Sequence, residues 1–171
     1  MISAICPGSY DPVTNGHVDV IRRAASIFDS VVVGVVQNPQ HKAPLFPVEE
    51  RVEFLESALV GLDNVVVDVF SELVVEFARK HNAKTMVKGL RVISDFEWEF
   101  QMNHLNRQLA PDIETLYVMA NPLYSFVSSS GVKEIASFGG RVDELVPAAV
   151  ARRFREIYPD GKPGAPVSPQ E

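Results

Sequence analysis

Two kinds of hydrophobic pattern alternate along the chain. Residues 30–36 read SVVVGVV, an almost unbroken run of β-branched side chains, which is typical of a strand covered on both faces. Just before it, Ile21, Ala24, Ala25 and Phe28 recur at the spacing of one helical stripe. Because short apolar runs and helical stripes follow each other repeatedly, the pattern predicts strands that alternate with helices.

The alternation predicts a single domain over residues 1–158. Strands that are joined through helices run parallel and carry helices on both faces, so we expect an α/β, Rossmann-like domain with a parallel five-stranded sheet. The strands are predicted at 2–6, 30–36, 65–69, 85–88 and 115–119. The helices are predicted to begin at residues 16, 47, 71, 95, 131 and 147. The tail at 159–171 is rich in Pro and Gly and is predicted to be disordered.

Single residues predict some of these boundaries. Pro47 is expected to open a helix with Glu49 and Glu50 in its first turn, where the helix dipole favours acidic groups. Ser71 is expected to be the N-cap of the third helix. Gly89 is expected to mark the turn after the fourth strand.

Composition and charge narrow the function classes. Of the 171 residues, 46% are hydrophobic and 22% are charged, as in a soluble globular protein. The net charge of -6 argues against a general nucleic-acid binder, which needs a basic face. The single cysteine, Cys6, excludes an intramolecular disulfide and a cysteine-rich zinc site. The N-terminal residues do not resemble a signal peptide, and no apolar run approaches the roughly 20 residues that cross a membrane, so we expect a cytoplasmic protein.

The first candidate site is the loop after the first strand, because ligands of parallel α/β sheets bind beyond the carboxyl ends of the strands. Residues 7–17 read PGSYDPVTNGH. Ser9 offers a hydroxyl just past the strand, and His17 lies in the first turn of a helix, where free N–H groups favour a phosphate. Taken alone, a histidine at this position is more often a surface residue after a Gly/Pro turn than a functional one.

A second segment, residues 124–130, reads YSFVSSS and leads into a predicted helix at Gly131. One serine there would be an ordinary N-cap. Three serines exceed what a cap needs, and they combine hydroxyls with unpaired N–H groups in a way that suits the tail of a triphosphate.

Two cations stand at the end of the fourth strand, where residues 88–91 read KGLR. They suit contacts to two different phosphates. In the following helix, Glu99, Asn103 and Asn106 form one polar stripe. The alternatives are a strand-end lysine whose stem packs on apolar surface and a solvated helix face. Lys42, in a Pro-bounded loop after the second strand, is uninformative by itself.

Together these segments resemble the bacterial phosphopantetheine adenylyltransferase family, part of the nucleotidylyltransferase superfamily with its T-x-G-H motif. The resemblance spans about residues 2–158 and rests on PGSYDPVTNGH, KGLR, DFEWEFQMNHLNR and YSFVSSSGVKE. It implies transfer of the adenylyl group of ATP to 4'-phosphopantetheine, giving dephospho-coenzyme A and pyrophosphate. It also implies a homohexamer, and coenzyme A, which shares the pantetheine arm, is expected to inhibit at the same pocket.

The resemblance also implies site residues, with His17 as the catalytic one. For phosphopantetheine they are Ser9, Lys42, Val74 and Lys88. For ATP they are Ser9, Tyr10, His17, Gly89, Leu90, Arg91, Glu99, Tyr124, Ser125, Phe126, Val127, Ser128, Ser129 and Ser130. One departure is Gly131, which stands where the family usually has a larger apolar residue.

For such a reaction the nucleophile is a phosphate oxygen that is already ionised, so catalysis needs alignment and charge neutralisation rather than a strong base. We expect Lys42 and Lys88 to hold the acceptor phosphate, His17 to stabilise the transition state, and Arg91 with the serine-run amides to hold pyrophosphate. Mg²⁺ is expected to bind mainly to the ATP phosphates, because no cluster of acidic ligands is visible in the sequence, and no residue is predicted to be a metal ligand. A nucleotidylyltransferase for another phosphorylated acceptor, and a sensor that binds ATP or coenzyme A without turnover, remain alternatives.

Overall fold

The computed structural model describes residues 2–39 and 43–159. Lys42 and all but the first residue of the predicted tail therefore lie outside the described residues. The elements are β1 (Ser3–Gly8), α1 (Asn15–Ile27), β2 (Ser30–Val36), α2 (Val48–Ala58), β3 (Val65–Phe70), α3 (Val74–Lys80), β4 (Thr85–Leu90), α4 (Ile93–Leu109), β5 (Glu114–Met119), α5 (Ser129–Ser137) and α6 (Ala148–Ile157).

The five strands form one sheet in the order β3-β2-β1-β4-β5, and every neighbouring pair is parallel. The predicted α/β class and the five-stranded parallel sheet are confirmed. The chain first builds outward from β1 to β3 and then returns to add β4 on the other side of β1. The strand order reverses between β1 and β4, and such a switch point opens a crevice at the carboxyl ends of the two strands.

Helices cover both faces of the sheet, as predicted. On one face Ala4, Val31 and Val33 belong to a core cluster that includes buried residues of α1, α2, α5 and α6. On the other face Ile5 and Val32 pack in a second cluster with residues of α3. Because successive strand residues point to opposite faces, an apolar strand such as β2 contributes side chains to both clusters.

Pro47 precedes α2 directly, and Glu49 and Glu50 lie in the first turn of that helix. This prediction is confirmed. The prediction for Ser71 is wrong, because α3 begins at Val74 and its N-cap is Leu73, without a side-chain cap. Instead, the backbone N–H of Ser71 donates to the carboxylate of Glu72 at 3.0 Å, a local bond that competes with helix formation.

The prediction that Gly89 turns the chain is also wrong. Gly89 pairs with Val118 inside the parallel ladder of β4 and β5, which continues to Leu90. A Cβ at this position would lie 3.0 Å from Cγ2 of Val20 in α1. The glycine therefore serves the close approach of α1 to β4 rather than a turn.

Within residues 2–39 and 43–159, no helix is long and apolar enough to cross a membrane. The cytoplasmic location and the lack of a nucleic-acid partner stay predictions from the sequence.

Candidate functional site

A cavity of about 650 Å³ opens beyond the carboxyl ends of β1 and β4, at the switch point of the sheet. Its walls come from the loop after β1, the first turns of α1, the end of β4, the first half of α4 and residues 124–130, called the serine segment below. The cavity brings together most of the residues predicted from separate segments. They are Ser9, Tyr10, His17, Lys88, Gly89, Arg91, Glu99, Tyr124, Val127, Ser128, Ser129 and Ser130.

Four predicted residues of the described chain are not among those that line this cavity. Val74 starts α3 and packs against the core cluster on the face of the sheet that α3 covers. Leu90, Ser125 and Phe126 flank lining residues, and the Phe126 side chain is largely exposed. Their assignments stay predictions, as does that of Lys42, which lies outside the described residues.

His17 is held in a defined orientation by the start of α1. Thr14 is the N-cap, and its hydroxyl accepts from the backbone N–H of His17 at 3.3 Å. In return, the backbone N–H of Thr14 donates to Nδ1 of His17 at 3.0 Å. This is a capping box in which a histidine takes the position usual for Glu or Gln. Because Nδ1 accepts a hydrogen bond, the proton of the neutral ring resides on Nε2, which is then the donor available to a ligand.

The His17 ring is also kept neutral. Burial, and secondly the positive charge of Arg91, lower the pKa of His17 to about 4. The Tyr10 ring packs edge-on against the His17 ring, with centroids 5.2 Å apart. At neutral pH His17 can therefore donate one hydrogen bond from Nε2 to a phosphate oxygen, but it carries no full charge.

The lowered pKa predicts a stability effect with a definite sign. Unfolding returns His17 to its ordinary pKa of 6.5, so below that pH the unfolded state binds a proton that the native state refuses. We expect this contribution to the free energy of unfolding to be lost between pH 6.5 and about 4. Urea unfolding of wild type and His17→Asn at pH 7 and 4.5 measures it. Wild type should lose more stability than the variant, and equal losses would show that His17 titrates normally in the native state.

Lys88 and Glu99 meet across the cavity. Lys88 Nζ donates to Glu99 Oε2 at 2.8 Å, and both side chains are mostly buried. The Tyr117 hydroxyl donates to the Glu99 carbonyl at 3.1 Å, which anchors this turn of α4 on β5. An ammonium group has three donors, so Lys88 can bind a phosphate while Glu99 keeps the ammonium in position.

Arg91 joins two of the cavity walls. Its Nε and Nη2 atoms each donate to the Asp95 carboxylate at 3.0 Å, and Nη1 donates to the Val127 carbonyl at 2.8 Å. Burial acts to raise the pKa of Asp95, but the hydrogen bonds from Arg91 outweigh it and lower that pKa. Three of the five guanidinium N–H groups have these acceptors, so a phosphate contact would use the other two.

The serine segment divides its hydroxyls between structure and site. Ser128 is the N-cap of α5 and accepts from the backbone N–H of Gly131 at 3.0 Å, so its hydroxyl serves the helix. Ser129 donates to the Pro12 carbonyl at 2.8 Å, which ties the segment to the first loop. Ser129 and Ser130 occupy the first turn of α5, where backbone N–H groups have no intrahelical acceptor. This turn can bind an anion through its backbone.

A sequence profile of the cytidylyltransferase-like family matches residues 5–135. The chain is 52% identical over 155 residues to the phosphopantetheine adenylyltransferase of Caldanaerobacter subterraneus, covering 91% of this chain and 96% of that protein. It is 50% identical to the enzyme of that name from Heliobacterium modesticaldum, covering 98% and 99%. The identity to the one from Dictyoglomus thermophilum is 51%, covering 92% and 96%. The chain belongs to the phosphopantetheine adenylyltransferase family.

Membership in the phosphopantetheine adenylyltransferase family confirms the resemblance that the sequence motifs indicate. The match reaches over almost the whole length of these relatives, so it includes every wall of the cavity. The enzyme class is thereby a nucleotidyltransferase, and the fold agrees with a cytidylyltransferase-like domain.

Asp95 and Trp98 also line the cavity, although the sequence analysis predicts neither of them as a site residue. The pairing of Asp95 has a weak signal in the sequence, because Arg91 and Asp95 are oppositely charged and four positions apart, although Arg91 precedes α4. Trp98 has no comparable signal. Its side chain is 61% exposed, as expected for an aromatic residue at a cavity rim or an interface.

Asp11 is a third residue without a predicted role. It is buried, and its carboxylate accepts from the backbone N–H groups of Leu45 at 3.0 Å and Phe46 at 2.9 Å. Lys133 of α5 donates to the same carboxylate at 2.6 Å. Asp11 therefore joins the loop after β1 to the segment before α2 and to the helix that carries the serines. Since Lys133 is 122 positions away, no local pattern indicates the pair.

Proposed function

We propose that the protein transfers the adenylyl group of ATP to 4'-phosphopantetheine, giving dephospho-coenzyme A and pyrophosphate. The observation that carries the proposal is the convergence of His17, Lys88, Arg91 and the first turn of α5 on one cavity, in a member of the phosphopantetheine adenylyltransferase family. Four positive or N–H-donating groups around one space suit a reaction between two phosphorylated molecules.

In this reaction a phosphate oxygen of 4'-phosphopantetheine attacks the α-phosphorus of ATP. A new oxygen–phosphorus bond forms, the bond between the α-phosphorus and the bridging oxygen breaks, and pyrophosphate leaves with that oxygen. No residue has to remove a proton from the nucleophile. His17 donates from Nε2 to the α-phosphate as negative charge grows there, and Lys88 orients the incoming phosphate.

Pyrophosphate leaves toward the other side of the cavity in this proposal. Arg91 and the first-turn N–H groups at Ser129 and Ser130 supply its hydrogen bonds. Arg91 contributes in two ways, because its bond to the Val127 carbonyl also holds the serine segment beside the end of β4.

Mg²⁺ is proposed to enter with ATP. Among residues 2–39 and 43–159, no group of three or more His, Cys, Asp and Glu side chains forms a metal-binding cluster. The carboxylates of Asp95 and Glu99 line the cavity, but each already pairs with a cation. Mg²⁺ readily takes most of its ligands from phosphate and water, and when bound it neutralises charge on the triphosphate. The donor set fits an ion of that kind.

Pyrophosphate release tests the function directly. We expect release with ATP and 4'-phosphopantetheine together, and none with pantetheine, which lacks the attacking phosphate. Replacing ATP by CTP separates adenylyl from cytidylyl transfer. ATP binding without any release would establish a sensor, and release only with a different phosphorylated acceptor would establish another nucleotidylyltransferase.

Coenzyme A is proposed to inhibit by occupying the same cavity. It contains the pantetheine arm of the acceptor and an adenine nucleotide, so groups that bind the substrates can also bind it. We expect saturating 4'-phosphopantetheine to abolish inhibition by coenzyme A, with an unchanged maximal rate. Initial-rate measurements over a matrix of both concentrations decide this. A maximal rate that stays reduced at saturating acceptor would place the inhibitor at a separate site.

A homohexamer is also proposed, in keeping with the family resemblance. Large apolar side chains of α4 remain exposed in the single chain, among them Ile93 at 83%, Phe100 at 51% and Leu109 at 55%. Exposed apolar side chains grouped on one element favour self-association. Sedimentation velocity should give six times the mass of one chain, and a monomer at micromolar concentration would refute the assembly.

A further inference from the structure

Arg51, in the first turns of α2, is a charged residue with no exposed surface. Its guanidinium donates to four backbone carbonyls. Nη1 donates to Ser9 O at 2.8 Å and to Val36 O at 2.9 Å. Nη2 donates to Gln37 O at 2.9 Å, and Nε donates to Phe46 O at 3.1 Å.

The four carbonyls lie at the carboxyl edge of the sheet, the edge at which the cavity opens. Ser9 directly follows β1, Val36 and Gln37 mark the end of β2, and Phe46 precedes α2. Only a guanidinium has enough donors, in a rigid planar arrangement, to bind four carbonyls from three chain segments at once. A lysine has the same charge, but its ammonium is a single point with at most three donors.

Burying this charge is unfavourable, which indicates that packing alone does not explain Arg51. Burial lowers the pKa of Arg51, while the charges of Asp11 and Glu49 act to raise it. In the part of the chain that the structure describes, no carboxylate lies within ion-pair distance of the guanidinium. An apolar side chain would fill the same space without the desolvation cost. The chain nevertheless has a buried cation here, and its hydrogen-bond acceptors are all backbone carbonyl groups.

The carbonyl of Ser9 connects Arg51 to the catalytic geometry. It belongs to the peptide group between Ser9 and Tyr10, and the orientation of that group sets φ of Tyr10. Tyr10 has a φ of 48°, a left-handed conformation that a residue other than glycine keeps only where its surroundings hold it. The Tyr10 hydroxyl donates to the Cys6 carbonyl at 2.8 Å, and its ring packs on the ring of His17.

We propose that Arg51 is a positioning residue for adenylyl transfer. By holding the peptide group between Ser9 and Tyr10, it keeps the Ser9 side chain at the cavity and the Tyr10 ring against His17. The inference rests on the proposed function, because the reaction gives the alignment of these groups its value. Small displacements of aligned groups cost large factors in rate.

Arg51→Lys tests this inference, since it keeps the charge but cannot reach the four carbonyls together. We expect kcat to fall by about 100-fold while KM for both substrates changes by less than about 3-fold. Arg51→Met is the second variant, because it fills the space and removes the buried charge. It should show the same loss of kcat.

The control must lose stability without touching the site. Leu59 is the buried C-cap residue of α2, at the other end of the helix from Arg51, and it does not line the cavity, so Leu59→Ala destabilises the same helix away from the site. All variants are assayed well below their melting temperatures. Leu59→Ala should lower the melting temperature about as much as the Arg51 variants do, but it should keep kcat within about 2-fold of wild type.

The outcomes separate the inference from the proposed function. A wild type that releases no pyrophosphate refutes the function itself. With an active wild type, a folded Arg51→Lys or Arg51→Met variant whose kcat stays within a few-fold of wild type refutes the positioning role. So does a Leu59→Ala variant that loses as much kcat. If neither Arg51 variant folds, Arg51 is a residue of the folding core and the inference fails.

Discussion

Replacing His17 by alanine should lower kcat by about 100- to 1,000-fold, because the loss of one donor to developing charge costs roughly 3–4 kcal/mol. Nδ1 is occupied by the Thr14 backbone, so the ring has one proton to offer, on Nε2. ATP binding, measured by calorimetry, should weaken much less than turnover, since the charge that this proton meets is largest in the transition state.

His17→Ala also removes the capping box of α1, and this second effect needs its own control. His17→Gln is the matched variant, because glutamine at the third helical position can restore the bond to the backbone N–H of Thr14. We expect His17→Gln to keep nearly the wild-type melting temperature and to lose kcat as His17→Ala does. A glutamine variant within a few-fold of wild-type kcat would remove the imidazole from the mechanism.

Asp11→Ala should produce a large loss of stability, because Asp11 is buried and joins three segments of the chain next to the cavity. The substitution leaves the N–H groups of Leu45 and Phe46 without their acceptor and Lys133 without its partner. Removing one partner of a buried ion pair costs about 3–5 kcal/mol. In a chain of this size, that corresponds to a fall in melting temperature on the order of 10 °C.

An exposed ion pair gives the comparison for Asp11. Glu76 and Arg79 are 2.8 Å apart on the surface of α3, so Glu76→Ala should cost less than about 1 kcal/mol. The double variant Asp11→Ala with Lys133→Met should cost less than the sum of the single changes, because the second change removes the unpaired charge. Urea unfolding measures all four variants. Equal losses for Asp11→Ala and Glu76→Ala would show that the buried pair does not hold the loops together.

Much of the architecture could be predicted because its causes are local. The β-branched run at Ser30–Val36 forms a strand with the predicted bounds, and Pro47 directly precedes a helix. Patterns of this kind depend on the period of side chains along a few turns or a few strand residues. The two failed predictions, at Ser71 and Gly89, are also instructive. Each is a single-residue signal that other interactions override, a local carboxylate bond at Ser71 and the packing of α1 at Gly89.

The residues of the candidate site also fall into those that local sequence patterns indicate and those that depend on distant contacts. The segments that we propose to bind phosphate could be selected from the sequence, because hydroxyls, cations and helix starts at strand ends are visible as residue types and spacings. Their meeting in one cavity depends on the tertiary structure. It lays β4 beside β1, which brings Lys88 into the cavity of His17, and it joins Asp11 to Lys133. It also buries Arg51 among carbonyls from three segments. These contacts depend on which distant segments become neighbours, and local residue patterns do not encode the partner of a buried charge.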